Sequence, residues 1–314
     1  MGVQKMQKII DASGMQIITE TGIYSNLDAG HYHSRLTPEP SLSSSMARTL
    51  VNECPAMLHA SSYLNPAHKR EERAHFDIGQ AVHLLYLETE KFSESVCVIE
   101  ADDWRRKEVQ QQRDEARAAG KIPLLTKTAD EIVSMRSALL SHPIAGKAFA
   151  GEGHSELSLV WKDTETGVWL KARPDWTPAS FGFLVDLKTS TTANPSDFAR
   201  KAYSLGYHMQ AAWYLDAVEA ITGEKPRQFW FVVQDKSFPF LCSVATFDDD
   251  AIAAGRALNR AAVRKFADCV EKDEWPGYRQ ETTPEKDTAF ILALPSWAQR
   301  DIDSLVSADG SGNP

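Results

Sequence analysis

Residues 181–189 constrain this chain more than any other stretch. They run Phe181, Gly182, Phe183, Leu184, Val185, Asp186, Leu187, Lys188, Thr189. A short apolar run of this kind reads as a buried strand. Two charges, Asp186 and Lys188, interrupt it. Successive side chains on a strand point to opposite faces, so these two emerge side by side. A buried charge is costly unless it is paired or holds a metal. A plain strand-end ion pair would satisfy both groups; a functional role is the alternative.

Residues 168–175 read as a second strand, ending in the carboxylate of Asp175 before a turn at 177–180. So short a connection predicts antiparallel neighbours. Such a hairpin brings Asp175 near Asp186. Two carboxylates converging beside a lysine make a hard-oxygen site for a divalent metal, with an ammonium left to hold or activate a water.

Pro174 and Asp175, with Asp186, Leu187 and Lys188 beginning eleven positions after Asp175, resemble the PD-(D/E)xK nuclease signature. The wider order resembles the RecE-type exodeoxyribonuclease VIII branch over residues 22–270. It comprises a helix with Gly79 and His83, then Arg173-Pro174-Asp175, then Val185 to Thr189, then Gln210 and Tyr214. The resemblance implies an α/β fold of the restriction-endonuclease type, a central mixed β-sheet flanked by helices, with helical N-terminal additions. It implies Mg²⁺ or Mn²⁺, as two ions, held by His83, Asp175, Asp186 and the Leu187 carbonyl. Lys188 then contacts the attacking water or the scissile phosphate. Glu156 stands where related nucleases carry an acidic residue near the metals. Gln210, Tyr214 and Arg173 fall to the DNA-facing side. The implied activity is 5′-to-3′ degradation of linear double-stranded DNA from its ends, leaving a 3′ single strand. The implied assembly is a ring-shaped homotetramer working with a RecT-like annealing protein. Competing readings are another nuclease of the superfamily, Cas4-like or an endonuclease, and a non-catalytic DNA-binding protein.

Without the resemblance, these residues have plainer readings. His83 on an apolar helix is a satisfied core residue, and Glu156 is a surface carboxylate. Gln210 and Tyr214 share one helix face, suited to packing or to directional hydrogen bonds with a phosphate oxygen or base edge.

At 314 residues the chain can bury the core of one large domain, or of one domain with an extra lobe. No apolar run approaches the roughly 20 residues that span a bilayer. The N-terminus lacks the basic-then-apolar pattern of a secretory signal. The expectation is a cytoplasmic protein, bacterial or phage-encoded, with no membrane partner. Cys54, Cys97, Cys242 and Cys269 are widely spaced, with no Cys-x-x-Cys pair. That argues against a disulfide framework or zinc finger. Relatives with an iron–sulfur cluster group three cysteines near the C-terminus; this chain does not, so no cluster is expected. A net charge of −9 opposes DNA binding overall, but the local field at a groove governs it. Basic groups gather at 68–70, 105–107 and 200–201.

The rest of the chain supplies a frame. Serines at 41 and 43–45 precede an apolar-periodic segment and predict helix N-caps. The alternative is a DNA phosphate bound by the Ser44 and Ser45 hydroxyls at the helix N-terminus. Residues 76–87 predict a helix in which Gly79, costing about 1 kcal/mol relative to Ala, points to close packing. Residues 102–120 predict an exposed helix that is either solvated or flanks a DNA path. Residues 128–141 predict an amphipathic helix, 155–161 an alternating strand, and 195–222 a helix broken near Gly206. Strands at 227–234 and 240–247 predict a hairpin. Asp248, Asp249 and Asp250 then cap a long helix. The domain reading is an N-terminal extension at 1–21, the nuclease-like domain at 22–275, and a C-terminal extension at 276–314 with a disordered tail at 304–314.

Overall fold

A computed structural model describes residues 8–68, 74–278 and 289–309. The chain divides into two compact units, Met1–Trp275 and Pro276–Pro314. The larger begins with β1 (Ile9–Asp11), β2 (Gly22–Ser25), α1 (Ala29–Tyr32), β3 (Ser41–Ser43), α2 (Ser44–Asn52) and α3 (Pro55–Ala60). Next come α4 (Ala74–Leu87) and α5 (Thr89–Ser95), then a lobe of β4 (Val96–Ile99), α6 (Lys107–Ala118) and β5 (Ile122–Leu125). α7 (Thr126–Ser141) and α8 (Ala145–Ala150) lead to β6 (Gly153–Ser155), β7 (Ser158–Lys162), β8 (Trp169–Ala172), β9 (Trp176–Pro178) and β10 (Phe183–Ser190). α9 (Pro195–Ser204) and α10 (Tyr207–Thr222) precede the hairpin of β11 (Gln228–Asp235) and β12 (Cys242–Ala245), and α11 (Asp249–Lys272) closes the unit. The smaller unit holds α12 (Ser296–Asp309). Residues 304–309, read from sequence as disordered tail, thus continue a helix; 310–314 lie outside the described residues.

The strands form two five-stranded sheets, ordered β1-β2-β7-β8-β3 and β12-β11-β10-β9-β6, and a parallel pair, β4-β5. Both larger sheets are mixed, with helices packed against them, so the α/β class expected from sequence is the class observed. The chain crosses between the two sheets twice. It leaves the second sheet after β6, builds the β7–β8 hairpin in the first, and returns at β9. Both crossings correct the sequence reading. Residues 155–161 are not one strand, because Glu156 adopts a left-handed φ of 53° and breaks the ladder. Residues 168–175 are not one strand either. Pro174 has no N–H to give a ladder, and β8 ends at Ala172. The turn expected at 177–180 is partly strand, and the antiparallel neighbour of β10 is β9, through Val185↔Trp176, rather than β8.

β10 alternates as its sequence requires. Leu184 packs into one core with residues of α2, α10 and α11, while Val185 and Leu187 pack into another with α4 and α7. Each fully buried Leu or Phe in these layers contributes roughly 2 kcal/mol. The same alternation turns Asp186 and Lys188 toward α10. The break near Gly206 is present, with a left-handed φ of 65° between α9 and α10. α11 lies so close to α10 that a Cβ on Gly255 would sit 2.4 Å from the His208 carbonyl oxygen. Ser43 caps α2, its hydroxyl accepting from Met46 N–H. No helix among the described residues is long and apolar enough to cross a membrane.

Candidate active site

The two sheet crossings meet, because Glu156 N–H donates to the Asp175 carbonyl at 3.1 Å. Each crossing thereby delivers one carboxylate to the same place. The left-handed backbone at Glu156 costs roughly 1–2 kcal/mol for a residue with a Cβ. α4 delivers the third group. His83 Nε2 lies 3.7 Å from Asp175 Oδ2, and Nδ1 lies 4.0 Å from Glu156 Oε1. Donor atoms of His83, Glu156 and Asp175 all fall within 4.8 Å of one another. Gly79, one turn earlier on α4, does not serve close packing as its sequence context suggests. A Cβ there would meet nothing within 4 Å, and the residue lines a cleft.

The backbone of a single residue of β10 ties this cluster to a second one. Leu187 N–H donates to Asp175 Oδ2 at 2.6 Å, and the Leu187 carbonyl lies 3.2 Å from His83 Nε2. On either side of it stand Asp186 and Lys188, which form an ion pair. Gln210 donates through Nε2 to Asp186 Oδ2 at 2.6 Å. The Lys188 ammonium lies 4.8 Å from the centroid of the Tyr207 ring, and Tyr214 hydrogen-bonds to Gln210. Tyr207, Gln210 and Tyr214 share one face of α10. Asp186 is not a member of the three-donor cluster; its oxygens meet Lys188 and Gln210. The carboxylate that accompanies Asp175 there is Glu156.

The crowding of charge bears on Asp175, His83 and Lys188. Burial, then the charge of Asp186, push the Asp175 carboxyl up to about 7, against the pull of His83. Burial disfavours a charged His83, but Asp175, Glu156 and Asp186 outweigh it and lift the imidazole to about 9. Lys188 is likewise raised: burial opposes its charge, and Asp186 and Asp175 overcome the opposition. Such a site accumulates negative charge in a low-dielectric setting and favours a cation. Two carboxylates, an imidazole and a nearby carbonyl are mostly hard donors and fit a divalent metal.

His83 and Glu156 open onto a cleft of about 2130 Å³. Arg173 also lines it, yet is committed within the protein. Its guanidinium donates to Ser158 Oγ and the Leu27 carbonyl and lies 4.3 Å from the centroid of the Tyr32 ring. Gln210 and Tyr214 are buried. Ser45 is exposed, with its hydroxyl 3.0 Å from that of Ser43, and Ser44 is buried, its hydroxyl unpartnered among the described residues. Of the basic run at 68–70, Lys69 and Arg70 lie outside the described residues. The four cysteines are free thiols, with Cys54 and Cys269 buried. Sequence reasoning passed over Tyr207, although it precedes Gln210 by three positions and so shares its helix face.

Comparison with known proteins bears on the family and the fold. A family model described as PDDEXK-like domain of unknown function (DUF3799) matches residues 43–286. No curated protein is similar enough to count as a relative. A crystal structure from Eubacterium rectale, described as a candidate exonuclease, superposes with a TM-score of 0.58 at 16% identity, covering 86% of this chain and 96% of that one. The structure of SSO0001 gives a TM-score of 0.31 at 12% identity, covering 75% of this chain and 81% of that one. An alkaline exonuclease from Laribacter hongkongensis gives 0.26 at 16% identity, covering 59% and 95%. Only the first of these three bears on the fold. The family match spans most of the chain and includes His83, both crossings and all of β10, so the chain belongs to the PDDEXK-like family.

Proposed function

We propose that this protein is a metal-dependent exodeoxyribonuclease that degrades linear double-stranded DNA from 5′ to 3′ and leaves a 3′ single strand for recombination by annealing. The observation that carries the reading is the convergence of His83, Glu156 and Asp175 within 4.8 Å, bridged through the backbone of Leu187 to the Asp186–Lys188 pair. His83, Glu156, Asp175 and the Leu187 carbonyl would hold Mg²⁺ or Mn²⁺, with Asp186 as the adjoining carboxylate. When bound, the metal supplies a lowered water pKa and charge for the leaving oxygen. Lys188 presents its ammonium to the attacking water or the phosphate, held in place by Asp186 and the Tyr207 ring. Gln210 fixes Asp186, which fixes Lys188 in turn. The order of motifs supports the RecE-like assignment, and with it a ring-shaped tetramer, a RecT-like partner and a cytoplasmic setting.

The test is incubation with linear and circular duplex DNA, labelled at either end, in Mg²⁺ or EDTA. The expected result is loss of linear DNA only, from the 5′ end and only with Mg²⁺. Lys188→Ala should lower the rate roughly 100-fold or more. Equal cutting of circular DNA would favour an endonuclease, and cleavage in EDTA would remove the mechanism.

A further inference from the structure

The basic segment at 102–120 finds no role in the chemistry above, and the structure divides it. Most of it belongs to the lobe of β4, α6 and β5, which stands beside α4 and α7. β4 and β5 run parallel with Val96 opposite Ile122. That register gathers the end of α5, the last turn of α6 and the link into β5 at one edge of the lobe. Lys91 in the first turn of α5, Arg117 in the last turn of α6 and Lys121 in the link into β5 each contribute a cation, and all three line the cleft that His83 and Glu156 also line. Arg105, Arg106 and Lys107, at the start of the helix, do not line it.

Plain structural roles account for part of this edge. Lys91 pairs with Glu88, and Arg117 sits in the last turn of α6, where a cation complements the helix dipole. Neither role calls for Lys121, which is exposed and flanked by Gly120 and Ile122, both also lining the cleft. The chain carries a net charge of −9, so three cations on one wall of one cleft are a local reversal of sign. On the same cleft, Arg173 is already tied to Ser158 and Leu27. Of the other lysines and arginines lining the cleft, Lys91, Arg117 and Lys121 gather at the lobe, with Glu88 beside Lys91, and Lys236 alone lies apart from it.

We propose that the lobe of β4, α6 and β5 grips the duplex backbone, with Lys91, Arg117 and Lys121 meeting DNA phosphates along the cleft that leads to His83. The proposal rests on the nuclease reading for its ligand. Phosphate contacts position a duplex without reading its sequence, and they release counterions.

The test is binding of a fluorescent blunt duplex in EDTA, where affinity is followed by anisotropy from 50 to 200 mM salt. The plot of log K against log salt should lose slope by about 0.9 for each phosphate contact removed. The triple variant Lys91→Gln, Arg117→Gln, Lys121→Gln is expected to flatten it by roughly 2 to 3. Its control, Arg105→Gln, Arg106→Gln, Lys107→Gln, removes the same net charge from the same lobe and should keep the wild-type slope. Lys91→Arg, Arg117→Lys, Lys121→Arg should also keep it, because the effect reads charge; this arm separates lost contacts from a misfolded lobe. Equal flattening by the control, or an unchanged slope in the cleft variant, overturns the proposal. If wild type degrades DNA but the cleft variant keeps its slope, the lobe assignment alone fails. If the slope responds as expected but no DNA is degraded in Mg²⁺, the nuclease reading alone fails.

Discussion

The hairpin of β7 and β8 spaces Glu156 from Asp175, and its tip is clamped to α11 by a pair whose strength can be worked out. Arg260 donates to both oxygens of Asp163, at 2.7 and 2.9 Å, while Thr166 adds its N–H at 2.8 Å and its hydroxyl at 2.7 Å. Burial alone would raise the Asp163 carboxyl. The bonds from Arg260 and Thr166 prevail and hold it down at about 2, from an ordinary 3.8. Each pH unit of depression is worth about 1.36 kcal/mol, so the carboxylate contributes about 2 kcal/mol when ionised. A depressed value means this stability is complete above the unfolded value, from roughly pH 5 upward, and drains away as pH falls toward 2. Asp163→Asn should therefore unfold about 2 kcal/mol more easily than wild type in urea at pH 7, but only about 1 kcal/mol more easily at pH 3. The corresponding melting temperature should fall by roughly 3 °C at neutral pH. A gap below about 0.5 kcal/mol at pH 7, or one that does not narrow with acid, would refute the assignment.

Two further changes probe the site. Gln210→Leu removes the amide that Asp186 Oδ2 accepts from. It should cost about 1–3 kcal/mol of stability, read by urea unfolding, and lower the rate on linear DNA, because Lys188 loses its fixed partner. Gly79→Ala should stabilise the protein by roughly 0.5–1 kcal/mol, since the helix gains and the added methyl meets no atom within 4 Å. A lowered melting temperature in that variant would contradict the open face of α4 beside His83.

What could be read from the sequence follows from what sequence encodes locally. The side-by-side placement of Asp186 and Lys188 on one face is a consequence of period two on a strand, and the structure pairs them. The one-turn relation of Gln210 to Tyr214 is likewise periodic, and the two hydrogen-bond. Glu156 was harder, because residues 155–161 alternate like an unbroken strand while the backbone turns left-handed in their midst. A left-handed residue other than glycine leaves no local signal; here the hydrogen bond to the Asp175 carbonyl accompanies it. Residues 168–175 read as one strand although Pro174, with no N–H to give a ladder, could have marked the second crossing. The destination of a strand depends on distant partners, such as β3 beside β8 and β11 beside β10.

The main chain at Leu187 has an odd standing in the molecule. Its N–H holds one acidic group and its oxygen faces the ring on α4, so two successive peptide planes meeting at one Cα serve the site from a single residue. Side-chain scanning would register position 187 as ordinary interior packing and miss this altogether. Swapping that amide for an ester would erase the donor while leaving every side chain intact, which makes the main chain itself the place to interrogate.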